Sequence, residues 1–262
     1  MARPAAVFFD VDFTLIHPGP RFQGTGYQAT CARYGVTVDP ARFDAAVTGA
    51  APLLDSADQR YDAGLFVAFT RRIIHGMGGA GAGVEAAARE IYDDWAEHRH
   101  FSLYDDVPGV LRRLHRTGIR LGLISNSHRS LTSFGSHFDL DGLIAVTVSS
   151  AEHGFMKPHP RIFQAALDRM QVRADEAVMV GDSVAHDVAG ARLVGMRAIL
   201  LARDGGPAAA GADVTVIRSL DELTSIFDFN SARPTPAARQ EDGRRGRAGA
   251  HGTRSGRRRP GS

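Results

Sequence analysis

The sequence predicts an α/β fold, a mainly parallel sheet flanked by helices, with an all-helical insertion after its first strand. Three observations carry this. Four short apolar runs each read as a buried strand, amphipathic helical stretches separate the later ones, and residues 18–102 contain helical patterns but no strand-like run.

The first run, Ala5–Asp10 (A-A-V-F-F-D), is apolar up to a terminal acid, as expected of a buried strand in a parallel sheet. Comparable runs occur at Arg120–Ser125, Ala177–Asp182 and Arg197–Leu201. Helical periodicity fills Val107–Thr117, Pro160–Met170 and Val184–Val194, and Gly118 and Gly195 stand just past two of these stretches, where C-terminal caps belong. Within the insertion, helices are expected around Tyr27–Tyr34, Arg42–Val47, Gln59–His75 and Val84–Arg99, with the glycine-rich turn Gly76–Gly83 between the last two. The expected organisation is a core of residues 1–17 and 103–228, a helical cap of 18–102, and an Arg- and Gly-rich tail of 229–262 whose composition predicts disorder.

A hydrophobic share of 44% over 262 residues supports a substantial core. The single cysteine, Cys31, excludes an intramolecular disulfide, fits a reducing compartment, and reads as a buried, inert thiol. A strand pattern beginning by Ala5 leaves no space for a signal peptide, and no run of roughly 18 apolar residues is present. The expectation is a soluble, cytoplasmic protein without a membrane partner. The net charge of +2 hides an asymmetry: residues 233–262 carry nine Arg against two acids, so the remainder is at −5. Of the 31 basic residues only Lys157 is a lysine, which singles it out for a role that arginine cannot fill.

In open α/β sheets, ligands bind beyond the carboxyl ends of the strands. Those ends carry Asp10, Asp12 and Thr14, then Ser125 and Asn126, then Asp182, Ser183 and Asp187. Carboxylates crowded on one rim repel each other unless a cation is present, and hard oxygen donors suit Mg²⁺. Lys157, fixed in a non-helical segment before Pro158, adds the compact positive charge that phosphoryl transfer uses. Other roles compete for some of these residues. Ser125 could cap a helix starting near Arg129, Asp182 or Ser183 could cap one starting near Val184, and Asp187 could simply face solvent. His128, His153, His159 and His186 read as surface or packing residues.

Four motifs in order, D-V-D-F-T (Asp10–Thr14), S-N (Ser125–Asn126), K-P (Lys157–Pro158) and G-D-S-V-A-H-D (Gly181–Asp187), resemble the haloacid dehalogenase-like superfamily over about residues 5–228. The resemblance is to its phosphatase branch with a C1-type helical cap on a Rossmann-like sheet. It implies a Mg²⁺-dependent phosphatase that acts on a small phosphorylated metabolite through an aspartyl-phosphate. By the same resemblance Asp10 is the nucleophile and Asp12 the general acid and base. Thr14, Ser125, Asn126 and Lys157 bind phosphate, and Asp10, the Asp12 carbonyl, Asp182 and Asp187 hold the metal. Phe13 fills a variable place and is expected to pack under the cap.

The presence of Asp12 argues against dehalogenation, because the superfamily's dehalogenases lack an acid there. The absence of lysine between residues 18 and 103 argues against phosphonoacetaldehyde hydrolysis through a cap Schiff base. A sugar phosphomutase stays open as an alternative. Nucleic-acid binding by the arginine-rich tail is at most accessory, since no aromatic residue follows Ser231 to stack on bases. The residues of the insertion, Arg21, Gln23, Arg60, Arg71 and Arg72 among them, do not select a substrate.

Overall fold

A six-stranded parallel sheet organises the chain, in a computed structural model that describes residues 1–55, 59–203, 205 and 214–227. The expected tail lies outside the described residues. The strands are β1 (Ala6–Phe9), β2 (Ile16–Pro18), β3 (Phe101–Leu103), β4 (Arg120–Ser125), β5 (Ile144–Ser149), β6 (Ala177–Gly181), β7 (Arg197–Leu201) and β8 (Thr215–Ile217). The sheet order is β5-β4-β1-β6-β7-β8, and β2 pairs antiparallel with β3 in a separate ribbon. β1 therefore sits between β4 and β6, in register Phe9↔Leu123 and Phe9↔Val180.

Each residue of β1 is fully buried, because helices cover both faces of the sheet. Val7 and Phe9 share a core with Val107, Val110, Leu111 and Leu114 of the helix Val107–Arg116. Ala6 and Phe8 point the other way, into a core with Ile162, Phe163, Ala166, Leu167 and Met170 of the helix Pro160–Met170. Burying a side chain such as Phe163 stabilises by about 1.5–3 kcal/mol. That second helix begins as its sequence suggests: Pro160 occupies the first turn, and His159 Nδ1 accepts from the Arg161 N–H at 3.2 Å. Gly118 and Gly195 adopt φ of +79° and +78° just past their helices, the left-handed geometry that glycine accepts most readily.

The insertion leaves the core through β2 and returns through β3, so the ribbon brackets it. Its helices run over Gly24–Arg33, Phe43–Ala50, Pro52–Asp55, Ala63–Gly76 and Val84–Asp94. The segment Gln59–Asp62 is not helical: Gln59 adopts φ of +62°, Arg60 bridges to Phe155, and Asp62 caps the helix that follows by accepting from Gly64 N–H. Cys31 is fully buried inside the insertion's core, and burial pushes its thiol pKa up, away from reactivity. No described helix is long and apolar enough to cross a membrane.

Candidate active site

The C-terminal ends of β1, β4 and β6 lie side by side, and each delivers polar groups to the same rim of the sheet. Asp10 follows β1 directly and is 7% exposed. Lys157, 3% exposed, donates from Nζ to Asp10 Oδ1 at 2.5 Å and to Asp187 Oδ1 at 2.6 Å. The second Asp10 oxygen accepts from Thr14 Oγ1 at 3.3 Å, and the same hydroxyl lies 3.2 Å from Asp182 Oδ1.

Asp187 reaches Lys157 because the backbone lets it. Residues Val184–Val188 form one widened helical turn, in which the Val188 N–H donates to Ser183 O, five residues back, at 3.2 Å. Ser183 caps this turn through its hydroxyl, which settles the competition with Asp182 in favour of Ser183. Gly181 is required by the same approach: a Cβ there would stand 2.2 Å from Asp187 Oδ2. Asp187 is thereby buried rather than solvent-facing. Both of its oxygens are taken by protein donors, Oδ1 by Lys157 and Oδ2 by the Ser183 N–H at 3.0 Å.

Asp10, Asp182 and Asp187 each bring a carboxylate oxygen within 4.8 Å of the others. Burial, opposed by Lys157 and reinforced by the charges of Asp187 and Asp182, holds the Asp10 carboxyl well above its ordinary range. Desolvation at the rim and then the charge of Asp187 raise Asp182 to about 6. Asp182 keeps an exposed edge, so solvent screens part of that repulsion. Desolvation would lower the Lys157 pKa, but Asp10 and Asp187 outweigh it and raise it, so the ammonium stays charged. Three acids with a single cation is a donor set that fits a hard divalent ion such as Mg²⁺.

Other expected residues take more specific positions. Ser125 is fully buried and its Oγ has no hydrogen-bond partner among the described residues; no helix starts at Arg129 for it to cap. Asn126 turns its side chain to the lysine loop, donating from Nδ2 to Lys157 O at 2.9 Å and accepting from the Lys157 N–H at 2.7 Å. The Asp12 carboxylate stands apart from the acidic cluster, 2.9 Å from Arg129 Nη1. Phe13 does not pack under the helical insertion. It is 47% exposed, with φ of +64°, because the turn between β1 and β2 places it in the left-handed region.

Two partners escaped the sequence reading. Arg129 is completely buried, and Arg203 donates to both Asp106 oxygens at 2.9 Å and to Thr14 O at 2.9 Å, fixing the loop that carries Thr14. Nothing in an arginine-rich sequence distinguishes these two from solvated arginines. The histidines serve in packing and capping. His128 stacks on Tyr92 with ring centroids 4.0 Å apart, and His186 Nδ1 pairs with Ser183 Oγ at 3.2 Å. Among the arginines of the insertion, Arg21 is tied to Asp94, Glu90 and Thr30, and Arg71 to Glu85. Two clefts of 490 and 530 Å³ in the insertion are lined by Arg42, Arg71, Arg72 and His75, and no residue of the acidic cluster reaches either.

The chain is similar to known proteins. A phosphoserine phosphatase of Thermus thermophilus is 35% identical over 129 residues, 46% of this chain and 49% of that protein. A phosphoglycolate phosphatase of Cupriavidus necator is 35% identical over 154 residues, 54% of this chain and 65% of that protein. The chain thus spans about half to two-thirds of the length of these relatives. A crystal structure of a HAD phosphatase from Thermococcus onnurineus superposes with a TM-score of 0.59 at 26% identity, covering 86% of this chain and 97% of that one. The family model for haloacid dehalogenase-like hydrolases matches residues 4–195, from before β1 to beyond Asp187. The chain belongs to the haloacid dehalogenase-like hydrolase family.

Proposed function

We propose that this chain is a Mg²⁺-dependent phosphatase that hydrolyses a small phosphate monoester through a phosphorylated Asp10. The observation that carries the proposal is the buried Lys157 ammonium bridging Asp10 and Asp187, with Thr14 on the other Asp10 oxygen. A purely structural ion pair gains little from burial. Here two acids and a lysine converge at the mouth of the sheet, at the rim that also carries a buried Ser125 hydroxyl with no hydrogen-bond partner among the described residues.

In this reading an Asp10 oxygen attacks phosphorus, the phosphorus–ester oxygen bond breaks, and its electron pair leaves with the alcohol oxygen. Asp12 gives that oxygen a proton. Asp12 then takes a proton from water as the water oxygen attacks phosphorus, which releases inorganic phosphate and restores the Asp10 carboxylate. Lys157 neutralises the charge shared by Asp10 and the phosphoryl group, while Thr14 Oγ1, Ser125 Oγ and the Asn126 N–H bind phosphoryl oxygens. Asp10, Asp182 and the Asp12 carbonyl would hold Mg²⁺, with Asp187 acting directly or through water; its two protein-bonded oxygens favour the second. When bound, the ion supplies neutralisation of phosphoryl charge.

The helical insertion, in the proposed division at residues 18 and 103, chooses the substrate. The phosphoserine and phosphoglycolate phosphatases among the relatives point to a small phosphorylated metabolite. The test is a panel of phosphate esters assayed with Mg²⁺ and with EDTA. Turnover of at least one small monoester, abolished by EDTA, is expected; no turnover of any ester would overturn the proposal.

A further inference from the structure

We propose that Arg129 is a positioning residue that sets the Asp12 carboxylate by tying it to the return path of the helical insertion. This rests on the phosphatase reading, in which Asp12 protonates the leaving group.

Arg129 lies in the loop after β4, four residues beyond Ser125, and its side chain has no solvent exposure. Nη1 donates to Asp12 Oδ1 at 2.9 Å, and Nη2 donates to the Trp95 carbonyl at 2.9 Å. The guanidinium carbon sits 4.0 Å from the centroid of the Phe101 ring. Asp12 belongs to the segment by which the chain leaves the core, between β1 and β2. Trp95 ends the last long helix of the insertion, and Phe101 opens β3, where the chain returns. One buried cation therefore touches both crossings, and the acid that it holds sits two residues from Asp10.

Only a planar fork can meet this demand. It directs two donors at two different acceptors and still offers a face to an aromatic ring, which an ammonium cannot do. A buried guanidinium also cannot release its single carboxylate without leaving a charge unpaired in the interior, so the contact is held firmly. The consequence for Asp12 is a division of labour between its oxygens. Oδ1 is fixed by Arg129, while Oδ2 has no hydrogen bond to protein among the described residues, and the side chain is 17% exposed. The free oxygen is the one available to a leaving group, and its placement follows from where Trp95 and Phe101 stand. A shift of the insertion on its linkers is thus felt at the acid.

The test separates positioning from stability by varying the leaving group. Full-length wild type, Arg129→Lys, Arg129→Met and Phe101→Leu are assayed with Mg²⁺ on 4-nitrophenyl phosphate and on phenyl phosphate. These esters are of similar shape, but the first expels an acidic phenol that needs little protonation and the second a basic one. We expect the Arg129 variants to lose about 10²-fold in kcat/KM on phenyl phosphate and less than about 10-fold on 4-nitrophenyl phosphate. Phe101→Leu, which leaves the ion pair in place, should shift the same ratio in the same direction by less, and it keeps the test open if the Arg129 variants do not fold. Asp12→Asn should show the full ratio change, and adding Arg129→Lys to it should change the ratio no further. Equal losses on both esters, or no loss, in folded variants would overturn the role of Arg129. Wild type is first assayed on both esters and on the phosphate-ester panel; where it prefers other monoesters, the ratio is read on two of those that differ in leaving-group basicity. Inertness towards every ester would instead overturn the phosphatase reading itself, and this proposal with it.

Discussion

Lys157 Nζ lies 2.5 Å from Asp10 Oδ1, and both residues are buried. The pair joins the only lysine of the chain to the acid that ends the first strand. Arginine in its place would put a larger, forked cation where a compact one bridges Asp10 and Asp187. Lys157→Arg should lose on the order of 10²-fold or more in kcat. Steady-state kinetics on any ester that the wild type turns over measures this, and near-normal turnover would exclude Lys157 from the chemistry.

Burial and a raised pKa also protect that amine from reagents. In the folded chain, an amine-selective acylating reagent should modify the Met1 amine, which is exposed, and leave Lys157 intact. Unfolding in denaturant should open Lys157 to the same reagent. Peptide mapping after brief labelling distinguishes the two states, and fast modification of Lys157 in the native protein would contradict its placement.

The raised carboxyls give the metal a pH signature. A folded-state pKa above the ordinary value means stability that is present at low pH and declines as pH rises through the folded value. For Asp182 the window runs from 3.8 to about 6, and the shift of Asp10 is in the same direction. A cation that binds the deprotonated acids reverses this loss. The increase in Tm caused by Mg²⁺ should therefore be small near about pH 5 and grow towards about pH 7. Thermal melts with Mg²⁺ and with EDTA across that range check it; a pH-independent increment would argue against these acids as ligands.

Asp106 should behave in the opposite sense. Although burial alone would raise it, hydrogen bonds from Arg203, the Leu220 N–H and Ser219, with the charge of Arg203, hold its carboxyl below the ordinary range. Its contribution is present above the ordinary carboxylate pKa and is lost as pH falls through the lowered folded value. Asp106→Asn should cost about 1–3 kcal/mol at neutral pH. The difference between wild type and variant should shrink on acidification, which urea midpoints at the two pH extremes would report.

Much of this was legible in the sequence, and the exceptions have physical causes. The central strands announced themselves because both faces of β1, β4 and β6 are covered, which demands unbroken apolar runs. β5 lies at the sheet edge with its first four residues only partly covered or exposed, and β8 has three residues, so neither produces such a run. The ribbon of β2 and β3 depends on pairing across more than eighty residues of chain, which no local pattern records. Asp10, Thr14, Lys157, Asp182 and Asp187 converge as their motifs implied. What local sequence does not carry is the second layer: Asn126 holding the Lys157 backbone, Gly181 making space for Asp187, and Arg129 and Arg203 turned inward. Each is defined by a partner distant in the chain.

The central claim, that Asp10 carries the phosphoryl group, is tested most directly by mass spectrometry of acid-quenched enzyme. Wild type mixed with Mg²⁺ and 4-nitrophenyl phosphate and quenched within the first turnovers should yield one phosphoryl adduct on the peptide that contains Asp10, labile to hydroxylamine as an acyl phosphate is. Asp10→Asn should fold normally, form no adduct and show no turnover. Turnover by folded Asp10→Asn, or an adduct that forms on another residue, would contradict the mechanism.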